Sequence, residues 1–211
     1  METKHILAEL DVSCETINCL KKYLVLLEKW NKSINLVSKN SLKNAWDRHI
    51  LDSAQLLKMY TFGKNNWVDF GSGAGFPGMV IAIIAAEKNP NLRLTLIDSD
   101  KRKCVFLREI RRELNLNLTI IDQRIENCSC LNADIISARA LATMDKLLFY
   151  FELHSNVGCK GLFLKGKVTK KELQKIPEIS KYNINIESSL IDDSSVIVIV
   201  EKRNFETEKN Y

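Results

Sequence analysis

The sequence has 211 residues, of which 45% are hydrophobic and 27% charged, and its net charge is +5. This length predicts one domain of ordinary size, with or without a small extension, and a sizeable core. The composition excludes a disordered or collagen-like chain. The apolar run at residues 79–86 is shorter than the ~20 residues of a membrane span. With no signal-peptide pattern at the N-terminus, we expect a soluble, cytoplasmic protein that makes no membrane contact.

Apolar side chains at helical spacing predict helices in the first sixty residues. One lies within residues 17–34, and a second covers residues 41–60 with Ser41 as its N-cap. From residue 67 onward, short apolar runs alternate with amphipathic segments. Strands are predicted at residues 67–70, 93–98, 118–122, 133–138, 161–165, 186–191 and 196–202. Helices are predicted at residues 79–88, 101–116 and 142–155 and within 169–182.

Strands that alternate with helices predict a mostly parallel α/β sheet, to which the last two strands add an antiparallel pair. We therefore divide the chain into three parts. Residues 1–62 form a helical region that packs on the core, residues 63–203 form the α/β domain, and residues 204–211 form a charged tail that we expect to fray.

The glycine-rich segment at residues 69–78 (DFGSGAGFPG) follows a predicted strand and opens a helix, as nucleotide-binding loops do. Two ligands compete for it. Residues 73–78 fit the dinucleotide fingerprint G-x-G-x-x-G, and Asp98 lies 20 residues past Gly78. Counted from Gly71, however, the pattern is G-x-G-x-G. Asp69 would repel a pyrophosphate but attract the cationic end of a sulfonium ligand.

The glycine-rich segment, Asp98 and the closing antiparallel strand pair together resemble S-adenosylmethionine-dependent methyltransferases of the Rossmann-like class I. Those enzymes have a seven-stranded sheet. In that class an acidic residue at the end of the second strand binds the ribose hydroxyls, and Asp98 occupies this position. The alternative role for Asp98 is a helix cap. The loop after the third strand borders adenine in this class, which points to the backbone of Ile125 and the carboxylate of Glu126.

Four motifs in order narrow the resemblance: residues 30–37 (WNKSINLV), 48–53 (RHILDS), 69–78 and 137–140 (SARA). Together they resemble the bacterial 16S rRNA guanine-N7 methyltransferase family, also called glucose-inhibited division protein B. The resemblance runs from about residue 15 to 202. The class and family motifs together imply an S-adenosylmethionine site at Gly71, Gly73, Gly75, Phe76, Asp98, Ile125, Glu126 and Arg139.

The implied reaction needs no general base, because guanine N7 carries an in-plane lone pair and no proton. The enzyme would supply proximity, alignment and electrostatics. His49 lies beside Ile50 and Leu51, where a structural role is the commoner one. Asn35 either orients substrate or caps the N-terminal helices. Arg139 either grips the cofactor carboxylate or a phosphate, or makes an ordinary salt bridge.

Two segments, residues 101–112 and 160–175, each carry six basic residues against one acidic residue. Such patches either attract a polyanion or are simply solvated lysine-rich surfaces. The resemblance implies a small-subunit ribosomal RNA or ribosomal particle as partner. Separately, we expect a monomer. The candidate phosphate contacts are Arg102, Lys103, Arg111, Lys165 and Lys167.

Three other interpretations stay open. One is a methyltransferase of a small molecule or protein, which has no use for the basic patches. Another is a catalytically silent RNA-binding assembly protein, against which the intact glycine loop argues. The third is a nicotinamide-dependent oxidoreductase. A metal site is not expected, since the pair Cys128 and Cys130 has no second pair or histidine cluster near it in the sequence.

Overall fold

The computed structural model describes residues 5–60, 63–166, 168, 173–174 and 176–203. The chain begins with helices α1 (His5–Glu9), α2 (Cys14–Asn31) and α3 (Lys39–Lys43). A π-helical turn (Trp46–Leu51), the short helix α4 (Asp52–Ala54) and a 3₁₀ turn (Gln55–Met59) follow. No helix in the described ranges is both long and apolar enough to cross a membrane.

The rest of the chain builds a seven-stranded sheet with helices between its strands. The strands are β1 (Asn66–Phe70), β2 (Arg93–Ile97), β3 (Thr119–Ile121), β4 (Ala133–Arg139), β5 (Ser155–Gly166), β6 (Tyr182–Ser188) and β7 (Ser195–Lys202). The helices are α5 (Gly78–Lys88), α6 (Lys101–Glu113) and α7 (Met144–His154). The strand order is β3-β2-β1-β4-β5-β7-β6. β7 runs antiparallel to both neighbours, and the other pairings are parallel, which confirms the predicted fold class.

The central strands alternate between two hydrophobic clusters, one on each face of the sheet. In β1, Trp67 belongs to the cluster that contains α5 and the buried faces of α2 and α6, whereas Val68 belongs to the cluster beneath α7. Ile135 and Ile136 of β4 divide in the same way. This alternation follows from the two-residue period of a strand. Because both faces are covered, the strands read as nearly continuous apolar runs.

The helix predicted at residues 41–60 is broken into four short pieces. Its expected N-cap, Ser41, lies inside α3. The cap is Ser38, whose Oγ accepts a hydrogen bond from the Ser41 amide at 3.1 Å. The following π-helical turn carries three buried residues in succession, His49, Ile50 and Leu51. A regular helix places successive residues about 100° apart, so local periodicity did not predict this turn.

The ends of the other helices and strands differ less from the predicted ends. β5 begins six residues before its predicted start, β4 extends one residue further to include Arg139, and α6 ends at Glu113. Of the helix predicted within 169–182, residues 169–172 and 175 lie outside the described part, and a 3₁₀ turn covers Ile179–Lys181. The predicted charged tail, residues 204–211, also lies outside it.

The N-terminal helices share a hydrophobic cluster with the sheet. Leu20, Tyr23 and Leu27 of α2 belong to the same cluster as Trp67 of β1 and Phe106 of α6. We therefore propose that the expected boundary after residue 62 separates two segments of one cooperative unit, not two independently folding domains.

Truncating a core side chain of α2 should therefore destabilise the whole chain. Leu27 is fully buried, whereas Val25 on the same helix is 67% exposed. We expect Leu27→Ala to lower the free energy of unfolding by about 2–5 kcal/mol, and Val25→Ala, the matched control, by less than about 0.5 kcal/mol. Urea unfolding followed by circular dichroism and tryptophan fluorescence measures both. A separate early transition confined to the N-terminal helices in Leu27→Ala would contradict the single unit.

Candidate active site

A cleft of about 470 Å³ opens at the carboxyl ends of β1, β2 and β4. This edge of a parallel sheet is where α/β folds bind ligands. Seven of the eight expected cofactor residues line the cleft: Gly71, Gly73, Phe76, Asp98, Ile125, Glu126 and Arg139. The eighth, Gly75, packs against the protein interior, where an added side chain would collide with the Tyr23 hydroxyl and with Met79.

Three glycines of the loop after β1, Gly71, Gly73 and Gly75, have positive φ angles, and the first two line the cleft. Gly71 has φ +61° and Gly73 has φ +56°, values that glycine adopts without steric cost. A side chain on Gly71 would also overlap Leu141. At Gly73 an added Cβ would meet only the Gly71 carbonyl oxygen, at 3.7 Å, so the backbone there stands open. The loop therefore exposes backbone at Gly73 that a ligand can approach.

Asp98 ties this loop to the end of β2. Its Oδ2 accepts a hydrogen bond from the Gly73 amide at 2.7 Å, and its Oδ1 accepts one from the Asp100 amide at 2.8 Å. The N-cap of α6 is Asp100, which accepts from the Arg102 amide at 2.9 Å. Asp98 is thus not the helix cap that the sequence left open. Its carboxylate oxygens each retain acceptor capacity on the cleft wall.

The opposite wall comes from the 3₁₀ turn Ile125–Asn127, which follows β3. Ile125 is buried and Glu126 exposed. His154 Nε2 lies 3.0 Å from the Ile125 carbonyl oxygen, so it carries the proton and donates it. Lys146 and Tyr150 of α7 also line this wall, and the Lys146 ammonium lies 5.6 Å from the centre of the Tyr150 ring. The sequence analysis did not identify these two, because nothing in the helical pattern distinguishes them.

Arg139, the last residue of β4, contacts the N-terminal segment. Its Nη1 donates to the Arg48 carbonyl oxygen at 3.0 Å and lies 3.7 Å from Asp52 Oδ2. Its guanidinium also lies 5.0 Å from the centre of the Phe76 ring, a cation–π distance. These contacts are more than the ordinary surface salt bridge that the sequence left open, because the side chain is only 19% exposed.

His49 also contacts the Arg139 guanidinium. Arg139 Nη2 lies 2.7 Å from His49 Nδ1. Because arginine only donates, Nδ1 must be the acceptor, and the imidazole proton is on Nε2. Burial, reinforced by the positive charge of Arg139, lowers the pKa of His49 to about 3. The ring stacks on Phe76 at 4.6 Å between centroids. His49 is therefore a neutral residue that orients Arg139 and Phe76.

A second cavity, of about 340 Å³, shares Arg139 and Ala140 with the cleft. Arg48, His49 and Asp52 form one wall, the end of β5 forms another, and the connection between β6 and β7 forms the third. The sequence analysis did not predict this cavity. The one sequence feature that lies at this cavity is the RHILDS motif, which contains Arg48, His49 and Asp52.

Asp69 does not face the cleft, contrary to the role suggested by its position beside the loop. It is fully buried. Its Oδ1 accepts from the Ser137 hydroxyl at 2.6 Å, and its Oδ2 accepts from the Gly78 amide at 3.2 Å. Burial raises the pKa of Asp69 to about 6, although these hydrogen bonds oppose the shift. The carboxylate therefore joins β1, β4 and the start of α5.

Two further residues support the loops of the cleft. The Tyr23 hydroxyl of α2 donates to the Ala74 carbonyl oxygen at 2.5 Å, and its ring lies 5.4 Å from that of Phe76. The Asn31 side chain accepts from the Leu36 and Val37 amides at 2.9 and 3.0 Å, and both of those residues line the cleft. Asn35, which directly precedes Leu36 in the expected motif, is exposed.

The four candidate phosphate contacts that the structure describes are spread over different parts of the surface. Lys103 lines the cleft and Lys165 the second cavity, where its Nζ donates to the Ala142 carbonyl oxygen at 2.7 Å. Arg102 is exposed and pairs with Asp100 at 3.2 Å. Arg111 lies about 12 Å further along α6 than Lys103 and donates to the Leu118 carbonyl oxygen at 3.3 Å. Lys167 lies outside the described residues.

Comparison with known sequences gives one family. Residues 16–194 match the GidB family, described as rRNA small subunit methyltransferase G. The chain belongs to this family. A relative from Ruegeria sp. (strain TM1040) is 43% identical over 190 residues, covering 90% of this chain and 92% of the relative. One from Parvibaculum lavamentivorans is 46% identical over 165 residues, covering 77% and 73%. Both are named ribosomal RNA small subunit methyltransferase G.

Solved structures agree on the fold. A SAM-dependent methyltransferase from Aquifex aeolicus superposes with a TM-score of 0.60 at 15% identity, covering 79% of this chain and 100% of that one. Membership of the family leaves the dinucleotide interpretation of the glycine loop without support. The Rossmann-like class I architecture, expected from the glycine loop, Asp98 and the closing antiparallel strand pair, is confirmed.

The buried Asp69 predicts an unusual dependence of stability on pH. The native state holds its proton more tightly than the unfolded chain, whose carboxyl has a pKa of 3.8. This contribution to the free energy of unfolding is complete below pH 3.8 and is lost as the pH rises through about 6. Relative to the parent chain, Asp69→Asn should therefore gain roughly 2 kcal/mol between pH 4 and 7.

Urea unfolding at closely spaced pH values measures this difference. The exposed Asp193→Asn controls for the general effect of removing one carboxylate. A difference between Asp69→Asn and the parent chain that stays constant over this pH range would contradict the assignment.

Proposed function

We propose that this chain transfers a methyl group from S-adenosylmethionine to N7 of a guanine in small-subunit ribosomal RNA. As a member of the rRNA small subunit methyltransferase G family, it is a methyltransferase of that RNA. The main observation behind the more specific proposal, S-adenosylmethionine as donor and guanine N7 as acceptor, is the cleft at the carboxyl ends of β1, β2 and β4. There an open glycine backbone, an acidic residue and a buried arginine converge.

The donor set of the cleft fits S-adenosylmethionine. Asp98 and Glu126 present carboxylate oxygens that suit hydroxyl and amino donors. The open backbone at Gly73 leaves room for close approach, and Arg139 offers a guanidinium for a carboxylate. When bound, the cofactor supplies the methyl group, and the positive charge of its sulfonium ends on the methylated base.

The chain does not need to remove a proton for this reaction, because the N7 lone pair of guanine is available at neutral pH. The imidazole that contacts Arg139 fits this requirement. His49 is neutral, its pKa is about 3, and its Nδ1 is occupied by Arg139. The chain's contribution is therefore alignment and electrostatics, with Phe76 and His49 holding the Arg139 guanidinium in place.

The decisive experiment uses small ribosomal subunits from a bacterial strain that lacks the gene for this protein. The purified chain and tritiated S-adenosylmethionine should label their RNA. The product should be cleavable by aniline after borohydride treatment, as N7-methylguanosine is. Labelled RNA that resists this cleavage would refute guanine N7 as the target. Protein-free RNA, tested in parallel, shows whether the assembled particle is the substrate.

Arg139 provides the sharpest test of the site. Arg139→Lys keeps a positive charge beside Asp52 but loses the planar fork that reaches Arg48 and His49. We expect methyl transfer to fall by about 100-fold or more, while Lys181→Gln, at the opposite edge of the sheet, stays at the parent rate. Arg139→Ala should lose at least as much activity. Near-parent rates in Arg139→Lys would remove the guanidinium fork from the mechanism.

Recruitment of RNA should depend on salt through the lysines at the two cavities. Replacing Lys103 and Lys165 by glutamine should lower the slope of log K against log[salt] by roughly 0.7 to 0.9 for each lost phosphate contact. Affinity for S-adenosylhomocysteine should change little. Filter binding to small-subunit RNA at several salt concentrations measures the slope, with Lys181→Gln as control. An unchanged slope would exclude both lysines as phosphate contacts.

A further inference from the structure

The second cavity is adjacent to the cleft but separate from it. Arg139 and Ala140 line both, so the two spaces meet at the end of β4. Its volume of about 340 Å³ lies within the roughly 300–1,000 Å³ of small-molecule pockets. None of the expected cofactor residues except Arg139 lines it. A group bound here would lie beside a cofactor in the cleft and share only Arg139 with the expected cofactor residues.

Asp52 is the carboxylate of this cavity that the surrounding structure holds most firmly. Its side chain is 12% exposed. Oδ1 accepts from Gln55 Nε2 at 2.7 Å and from the Ser189 hydroxyl at 3.2 Å. Gln55 is itself held, because its Oε1 accepts from the Leu190 amide at 2.9 Å. This network joins the N-terminal segment to the β6–β7 connection and fixes the carboxylate on the cavity wall.

The second oxygen of Asp52 keeps acceptor capacity. Oδ2 lies 3.7 Å from Arg139 Nη1, which is longer than a hydrogen bond. Within the described ranges, both side-chain hydrogen bonds to the Asp52 carboxylate go to Oδ1. Burial raises the pKa of Asp52, and the charge of Arg139 with the hydrogen bonds from Ser189 and Gln55 opposes that shift. In its ionised form this carboxylate is an acceptor already fixed in position for a ligand with N–H donors, and charge-assisted hydrogen bonds of this kind are the stronger ones.

An acceptor-only carboxylate discriminates among the four RNA bases. Guanine presents two adjacent donors, N1–H and the N2 amino group, on its Watson–Crick edge. Adenine and cytosine each place a ring acceptor beside their amino group, and uracil places its single N–H between two carbonyl oxygens. Only guanine offers two donors side by side to one carboxylate. Enzymes that modify a base inside a structured nucleic acid commonly extrude it and bind this edge.

We propose that the second cavity receives the methyl-accepting guanine and that Asp52 selects it by accepting hydrogen bonds from N1–H and N2–H. This inference rests on the proposed function and adds the residue that determines base specificity. N7 lies on a different edge of guanine from N1 and N2, so the contact leaves the N7 lone pair free. Arg139, at the wall shared by both cavities, lies between the selected base and the cofactor cleft.

The test uses the full chain with two substitutions of Asp52. Asp52→Asn keeps the shape and an oxygen for Gln55 and Ser189, but it places an amino group or a neutral oxygen against the guanine donors. Asp52→Glu keeps the charge beside Arg139 but displaces the carboxylate. Asp193→Asn, an exposed residue of the same β6–β7 connection, is the matched control.

We expect both Asp52 variants to lower kcat/KM for methylation of small ribosomal subunits by roughly 10- to 100-fold. Asp52→Glu keeps the charge beside Arg139, so its melting temperature and S-adenosylhomocysteine affinity should stay close to parent values. Asp52→Asn removes the charge opposite the guanidinium and should lower the melting temperature. With S-adenosylhomocysteine saturating, saturation-transfer NMR should rank binding to the parent chain as GMP, then IMP, then AMP, because IMP lacks the amino group and AMP both donors. The preference for GMP over IMP should vanish in Asp52→Asn.

Parent-like kcat/KM in both variants would overturn the inference. A joint loss of activity, melting temperature and cofactor affinity in both would also overturn it, because Asp52 would then be structural. A parent chain that makes no N7-methylguanosine would instead refute the proposed function. The nucleotide-binding measurement needs no methyl transfer, so equal binding of GMP and AMP to the parent chain would count against the cavity assignment alone.

Discussion

The burial of the Arg139 guanidinium is the constraint on which the rest of the site depends. A charge taken out of water is costly unless its surroundings supply opposite charge and hydrogen-bond acceptors. Here the acceptors are the Arg48 carbonyl oxygen and His49 Nδ1, and the opposite charge is Asp52. All three belong to the segment before the sheet. The path of that segment is therefore set by a residue at the end of β4.

The same requirement explains why His49 is neutral and why it packs against aromatic side chains. A protonated imidazole would repel Arg139, and burial disfavours it further, so the ring is neutral and accepts at Nδ1. Its stacking on Phe76, together with the contact of Phe76 with Tyr23, links α2 to the glycine loop. Because the Tyr23 hydroxyl also binds the Ala74 carbonyl, the shape of the cleft depends on how the N-terminal helices pack.

Three buried aspartates near the site have different tasks because their surroundings differ. Asp69 is enclosed by the protein, and its raised pKa reflects a structural role between strands. Asp98 fixes the glycine loop and keeps acceptor capacity towards the cleft. Asp52 has one oxygen anchored and the other directed to the space beside Arg139. Their chemistry is identical, so the hydrogen bonds around each carboxylate decide what it can bind.

Local sequence determined much of this protein. Short apolar runs between amphipathic segments assigned the strands, and the glycine loop with Asp98 one strand later located the cleft, because each feature depends on residues close in the chain. Tertiary structure alone decided the rest. Arg139 and His49 lie 90 positions apart, and Asp52 and Ser189 lie 137 apart, so no local pattern predicts their contact. The second cavity and the π-helical turn bring residues of distant segments to the buried Arg139 guanidinium, and such contacts depend on the tertiary structure because they join parts of the chain far apart in sequence.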